Sequence, residues 1–303
     1  MPIRIGVIGV GYLGQHHARI LAEIEGAELV AVADTDSRKS EEIARTYGCR
    51  SFSGYADMIG ICDALCIVTP TTTHHGIAME CLSAGKDILI EKPITENPEE
   101  AGEIVAEAEK NGLVLQVGHL ERYNQGIIAA AEMIREPKFL ESERLSPFLG
   151  RGTDVDVTLD LMIHDIDIIL SIVKSGIKDI KAVGETVLSE KIDAAKVWIE
   201  FENGCNALMT ASRLSSRKQR TLKVFQKDAR IVIDYQQQEV SRHYKNGAEI
   251  SSDVIKPETK EPLKEELKDF IYCVKNRKKP GVSGVEAMDA LDVVLRITKI
   301  LHS

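Results

Sequence analysis

The chain has 303 residues, enough for two ordinary domains, and its 44% hydrophobic and 28% charged content describes a globular protein with a sizeable core. A formal net charge of −9 argues against nucleic acid as a partner. No apolar run reaches bilayer length, and Met1-Pro2-Ile3-Arg4-Ile5 enters a strand directly, so a cytoplasmic protein with no membrane partner is expected. Six scattered cysteines without a Cys-x-x-Cys pair, and histidines without metal spacing, predict reduced thiols and no metal site.

In chain order, Ile3 to Ile8 reads as a strand that opens into Gly9-Val10-Gly11-Tyr12-Leu13-Gly14 and then a helix over 15–24. Placed between strand and helix, this Gly-x-Gly-x-x-Gly string is a dinucleotide fingerprint. Gly9 permits the tight turn, Gly11 the approach of a pyrophosphate, and Gly14 close helix–strand packing, with the helix N-terminus facing the phosphates. A second strand over 28–33 ends at Asp34, about 20 residues on, where a carboxylate suits ribose hydroxyls and repels a 2′-phosphate. NAD is therefore the expected cofactor, with NADP as the alternative because Arg38 and Lys39 follow.

A helix over 40–47, a strand at 50–52 and a short helix over 55–60 lead to the strand 64–68 and the loop Thr69-Pro70-Thr71-Thr72-Thr73-His74. Its hydroxyls and amides can line a ribose or nicotinamide site, and Thr72 or Thr73 is expected to cap a helix over 75–84. Within this loop Thr69, Pro70, Thr71 and His74 are cofactor-side candidates, and His74 reads as a pocket wall, not a base. The buried run Asp87 to Ile90 then delivers Glu91-Lys92-Pro93 to the carboxyl end of a strand, where ligands of open α/β sheets collect. Lys92 is a candidate proton-transfer group there, and Glu91 is read as helping to place it; the alternative is an ion pair capping the strand. Asn97-Pro98 starts a helix to 110, and 113–117 is a sixth parallel-type strand. Repeated strand–helix alternation predicts a Rossmann-type doubly wound parallel sheet over 1–118.

Past Gly118 the pattern changes, and 119–303 reads as an α+β domain. A helix over 125–135 and a strand over 139–145 precede a helix through 159–170, capped by Thr153 or Asp154. Asp160, His164 and Asp167 recur on one face of that helix, and a carboxylate one turn from an imidazole can orient it as a base. Strands at 180–188, 193–201, 205–212, 220–226 and 229–235 without crossover helices predict a mostly antiparallel sheet. Arg213, Arg217, Lys218 and Arg220 read as a solvated basic patch, Gln236-Gln237-Gln238 as surface, and 257–262 as a linker before helices over 263–276 and 285–302, the latter capped by Ser283 with Glu286.

These pieces resemble the glucose-fructose oxidoreductase, inositol dehydrogenase and rhizopine-catabolism (GFO/IDH/MocA) family along nearly the whole chain. The glycine string with His17, Thr69-Pro70 with His74, Gly85-Lys86 before Glu91-Lys92-Pro93, and Asp160 with His164 match its pattern in order and spacing. The resemblance implies an NAD(P)-dependent oxidoreductase with Lys92, Asp160 and His164 as catalytic positions. It also implies an open-faced second sheet used for oligomer contacts, hence a dimer or tetramer. Met162 stands where many members have glycine. Gly118-His119-Leu120-Glu121-Arg122-Tyr123-Asn124 resembles members acting on nucleotide-linked amino sugars, which implies oxidation of a UDP-N-acetylglucosamine-like substrate at the 3-position. Arg122, Tyr123 and Asn124 are then candidates, with Lys92 and His164, to contact the sugar, or to form the hinge between domains. An inositol or free-sugar dehydrogenase, and a sugar-sensing regulator without chemistry, stand as the alternatives.

Overall fold

The computed structural model describes every residue except Leu149, Arg151, Gly152 and Asp154. The chain divides into two compact units, residues 1–120 with 263–288, and residues 121–262 with 289–303. Leu263–Met288 is grouped with Met1–Leu120 in the first unit.

In the first unit, β1 (Ile3–Ile8), α1 (Gly14–Glu23), β2 (Ala27–Ala33), α2 (Ser37–Tyr47), β3 (Arg50–Phe52), α3 (Ala56–Ile59), β4 (Ala64–Ile67), α4 (His74–Ser83), β5 (Asp87–Glu91), α5 (Pro98–Lys110) and β6 (Leu115–Gly118) alternate. All six strands are parallel, in the order β3-β2-β1-β4-β5-β6. The strands read as continuous apolar runs because helices cover both faces of such a sheet; β4 and β5 are buried at every position. Asn97 caps α5, its Oδ1 accepting the Glu100 N–H at 2.9 Å, with Pro98 at the first helical position. Thr73 does not cap α4: its hydroxyl bonds to Pro70 O and Thr69 Oγ1, inside a 3₁₀ turn over Thr71–Thr73.

The helix α8 (Pro262–Asn276) carries Leu267, Phe270, Ile271 and Val274 on one stripe, and all four join the core of this first unit with Ile5, Leu21 and Leu89. The segment beyond it covers the open edge of β6, where Val117 N–H donates to Val282 O at 3.1 Å. Glu286 then reaches back over the start of α9 (Gly284–Leu301), its carboxylate accepting from both the N–H and the hydroxyl of Ser283.

The second unit holds α6 (Gln125–Ala131), β7 (Phe139–Leu145), α7 (Ile163–Val173), β8 (Ile177–Glu185), β9 (Ala194–Phe201), β10 (Asn206–Ser212), β11 (Gln219–Phe225), β12 (Ala229–Asp234), β13 (Glu239–Asn246) and β14 (Glu249–Ile255). They form an eight-stranded sheet in the order β14-β13-β12-β11-β7-β10-β9-β8, antiparallel except where β7 meets β10. One face carries the core with α6, α7 and the later turns of α9. The hairpin β13–β14 has no counterpart in the sequence reading, because Val240 alone among Glu239–Asn246 is buried and no period-two apolar face marks it. Gln238 is buried, not surface: its amide exchanges hydrogen bonds with the Lys260 backbone. No described helix is long and apolar enough to cross a membrane.

Phe270→Ala tests the placement of α8. Emptying a fully buried aromatic site should lower the urea unfolding free energy by about 3–5 kcal/mol, whereas Phe148→Ala, at a residue 38% exposed, should change it by less than about 1 kcal/mol.

Candidate functional site

At the end of β1 the chain turns through Gly9 at φ +85°, where a Cβ would lie 2.5 Å from Val68 O. A Cβ at Gly14 would lie 1.8 Å from Gly9 O, so the first turn of α1 can pack here only as glycine. Gly11 has nothing within 4 Å of that position and opens onto a cavity of about 640 Å³. Gly9, Gly11, Asp34, Thr69 and Pro70 line this cavity. Ser53, Tyr55 and Thr72 line it too, and nothing in the local sequence marks Ser53 or Tyr55, which a β2–β3 neighbour relation brings there. Asp34 accepts from Val10 N–H and Asp36 N–H, both at 2.9 Å, which fixes its carboxylate at the end of β2. An unobstructed glycine, a helix N-terminus and a fixed carboxylate together fit a dinucleotide. Tyr12 and Leu13 are exposed, and Thr71 lies in the 3₁₀ turn.

Within the same unit Glu91 is 6% exposed at the last position of β5. Its Oε1 meets His17 Nε2 at 2.9 Å, and its Oε2 accepts the Lys92 N–H at 3.3 Å. Burial alone would push this carboxyl up, but the His17 hydrogen bond and charge, with Lys92, hold it below its ordinary value. A Cβ on Gly118, the β6 residue opposite, would lie 2.7 Å from Glu91 Oε2, so the strand must carry glycine there. Lys92 itself is half-buried. The partnership with His17 is a residue role that the sequence did not disclose. His74 is buried, with Nδ1 3.0 Å from Pro93 O and Nε2 3.0 Å from Thr69 O. It ties the loop after β4 to the segment after Lys92. Burial lowers its pKa against the pull of these carbonyls.

In the second unit a π-helical turn over Thr158–Met162 precedes α7, with Ile163 N–H reaching Thr158 O. π-turns of this kind concentrate at functional sites. Asp160 lies in that turn and His164 in the first turn of α7, both half-buried. The helix begins too late for Thr153 to cap it, and Asp154 lies outside the described residues. Asp167 does not share an open face with them: it is 1% exposed and holds Arg122 bidentately, at 2.6 and 2.9 Å. Asn124 caps α6 through Gly126 N–H and donates to Tyr235 O. Arg122 and Asn124 thus have framework partners, while Tyr123 is half-buried in a 3₁₀ turn. Arg213 and Arg220 are not solvated either; they meet Asp193 and Glu121.

Residues 3–119 match the model of an oxidoreductase family with an NAD-binding Rossmann fold, GFO/IDH/MocA, and residues 135–232 match the GFO/IDH/MocA C-terminal domain. A UDP-N-acetylglucosamine 3-dehydrogenase from Acidithiobacillus ferrooxidans is 32% identical, over 97% of this chain and 96% of its own. The scyllo-inositol 2-dehydrogenase (NAD(+)) of Bacillus subtilis is 27% identical over 98% and 93%. A solved structure of the Acidithiobacillus enzyme superposes with a TM-score of 0.95, covering 99% of this chain and 98% of that one at 32% identity.

Because Glu91 titrates below its ordinary value of 4.5 in the fold, its ionised form contributes stability that is present above that value and lost as pH falls through the lower folded one. His17→Leu leaves the buried carboxylate without its partner. The stability gap to the wild type, from urea midpoints, should be about 3–5 kcal/mol near neutral pH and shrink on acidification; a gap that ignores pH would show the pair to be unionised.

Proposed function

The chain belongs to the GFO/IDH/MocA family of oxidoreductases, and on that premise we propose that it oxidises a secondary alcohol of a nucleotide-linked amino sugar, UDP-N-acetylglucosamine at its 3-position, with NAD. The observation that carries the chemistry is the setting of Lys92, held at the carboxyl end of β5 by a buried, ionised Glu91. The substrate class rests on the end-to-end likeness to the Acidithiobacillus dehydrogenase.

A bound NAD would supply the hydride acceptor for the alcohol carbon. His164 accepts the hydroxyl proton on its imidazole, and Asp160 orients the ring and stabilises its protonated form. The Lys92 ammonium stabilises the charge developing on the alcohol oxygen as it becomes a carbonyl. Gly9 to Gly14, with Tyr12 and Leu13 in the turn, present backbone N–H groups to the pyrophosphate, while Thr69, Pro70, Thr71 and His74 form the cofactor wall and Glu91 places Lys92 and the nicotinamide ribose. Tyr123 is the member of the 122–124 segment we assign to the sugar itself; Arg122 and Asn124 support it through their framework bonds.

NAD is preferred over NADP on the same footing. The Asp34 carboxylate stands on the cavity wall, where it would repel a 2′-phosphate, and the exposed Arg38 pairs with the Asp36 carboxylate. The second unit also carries the contact between copies in a dimer or tetramer. Its sheet turns Phe139, Trp198 and Phe225 to the face opposite the core, with ring centroids 5.6 Å apart in both pairs.

Incubation with NAD and a panel of UDP-sugars, free sugars and inositols, followed by absorbance of the reduced nicotinamide, should give fastest turnover with UDP-N-acetylglucosamine; fastest turnover with an inositol would reassign the substrate, and none at all would favour a regulator. Lys92→Ala and His164→Ala should each lower kcat by about a hundred- to ten-thousandfold while NAD binding by calorimetry stays near wild type, and normal turnover in both would overturn the catalytic assignment. Asp34→Ser should weaken NAD binding about tenfold or more and leave NADP binding unchanged or improved.

A further inference from the structure

The strand β7 alternates regularly, placing Leu140, Ser142 and Arg144 on the core face. Arg144 is 1% exposed, and its cross-strand neighbour on β11 is Arg220, also an arginine. Two cations directly opposite one another repel unless counter-charges lie between them. Glu121 does so, its Oε1 accepting from Arg144 Nη1 at 2.9 Å and from Arg220 Nη1 at 3.1 Å. The remaining edge of the Arg144 guanidinium forks onto Asp165 of α7 at 2.9 and 3.1 Å, and its face lies 5.3 Å from the Tyr235 ring. Burial works against the charge on Arg144, but Asp165 and Glu121 outweigh it and hold the group ionised.

One residue after Glu121, Arg122 makes the second fork, onto Asp167 of α7. A single turn over Leu120–Tyr123 therefore supplies one acid to the sheet and one base to the helix, while α7 supplies Asp165 to Arg144 and Asp167 to Arg122. Three cations and three anions cancel. Buried ion pairs are poor sources of stability, since apolar residues of equal volume do as well or better. What bidentate arginine forks supply that apolar packing does not is angular definition. Asp165 directly follows His164 and Asp167 lies three residues past it, so two forks from different elements, β7 and the 3₁₀ turn, determine both the rotation of α7 about its axis and its position along it.

We propose that the network of Glu121, Arg122, Arg144, Asp165, Asp167 and Arg220 is a positioning device for the imidazole of His164. These are positioning residues that reach the reacting alcohol through His164 and do not touch it themselves, and the proposal rests on the reading of His164 as the proton acceptor.

The decisive variant is Arg122→Lys, which keeps the charge at a site with 19% side-chain exposure but cannot form the fork. Circular dichroism should show an unchanged fold. The proton NMR titration of His164, assigned by its loss in His164→Gln, should shift or broaden, and kcat should fall roughly ten- to a hundredfold with KM less affected. Exchanging the pair, Arg122→Asp with Asp167→Arg, should recover part of both. A folded Arg122→Lys protein with a wild-type His164 titration and wild-type kcat would overturn the proposal. If that variant does not fold, the same comparison falls to Asp167→Asn, and failure of both to fold would assign the network to stability and overturn positioning. The two readings separate cleanly: normal turnover in His164→Ala defeats the catalytic role of His164, whereas the NMR titration judges the network regardless of turnover.

Discussion

A carboxylate that must stay ionised inside a parallel sheet is the constraint on which much of the first unit depends. Glu91 ends a strand buried at every position, so it loses water and gains nothing from the apolar side chains around it. Only an opposed hydrogen-bonding partner compensates, and His17 supplies it from α1. That requirement places α1 against β5, and the same helix begins with the glycine turn. Its second demand falls on β6, where Gly118 must lack a side chain for the carboxylate to lie flat against the strand. Lys92 inherits a fixed backbone N–H from Glu91, and His74 braces the other side by holding Pro93 and Thr69. The phosphate-binding turn, the lysine and the threonine loop are thus parts of one packed arrangement.

The second unit solves a related problem with larger numbers of charges. Its sheet carries arginines at facing core positions, which apolar packing could not tolerate. Acids from a 3₁₀ turn and from α7 neutralise them in forks that admit only one orientation of that helix. The π-helical turn preceding α7 breaks the regular spacing between Asp160 and His164 at the same place. Both features concern how side chains at the start of α7 are aimed.

Much of this architecture was legible as periodicity. Alternating apolar strands and amphipathic helices announced the doubly wound sheet, and the glycine spacing announced its phosphate turn, because both patterns follow from repeats of the backbone itself. The misreadings have equally definite causes. The hairpin β13–β14 lacks an alternating apolar face, so Gln238 looked like surface although it locks onto the Lys260 backbone. Asp167 has helical spacing from His164 and yet points into a buried fork, since spacing gives an angle around a helix and not what stands opposite it. Arg213 and Arg220 looked like a solvated patch because a run of cations does not reveal the acids that distant segments bring to it.

The sequence by itself therefore determined the local repertoire: which segments are strands and helices, and where the glycine turn between β1 and α1 lies. Tertiary structure alone decided the partnerships. Glu91 meets a histidine 74 positions earlier, Gln116 meets the Glu266 backbone 150 positions later, and Asp87 meets Arg277 across 190 positions. Hydrogen-bond geometry along a chain repeats every two or every three to four residues and leaves its mark on neighbours in sequence. Which charges meet in a core depends instead on the order in which strands cross a sheet, and on the free energy of leaving a buried charge unpaired.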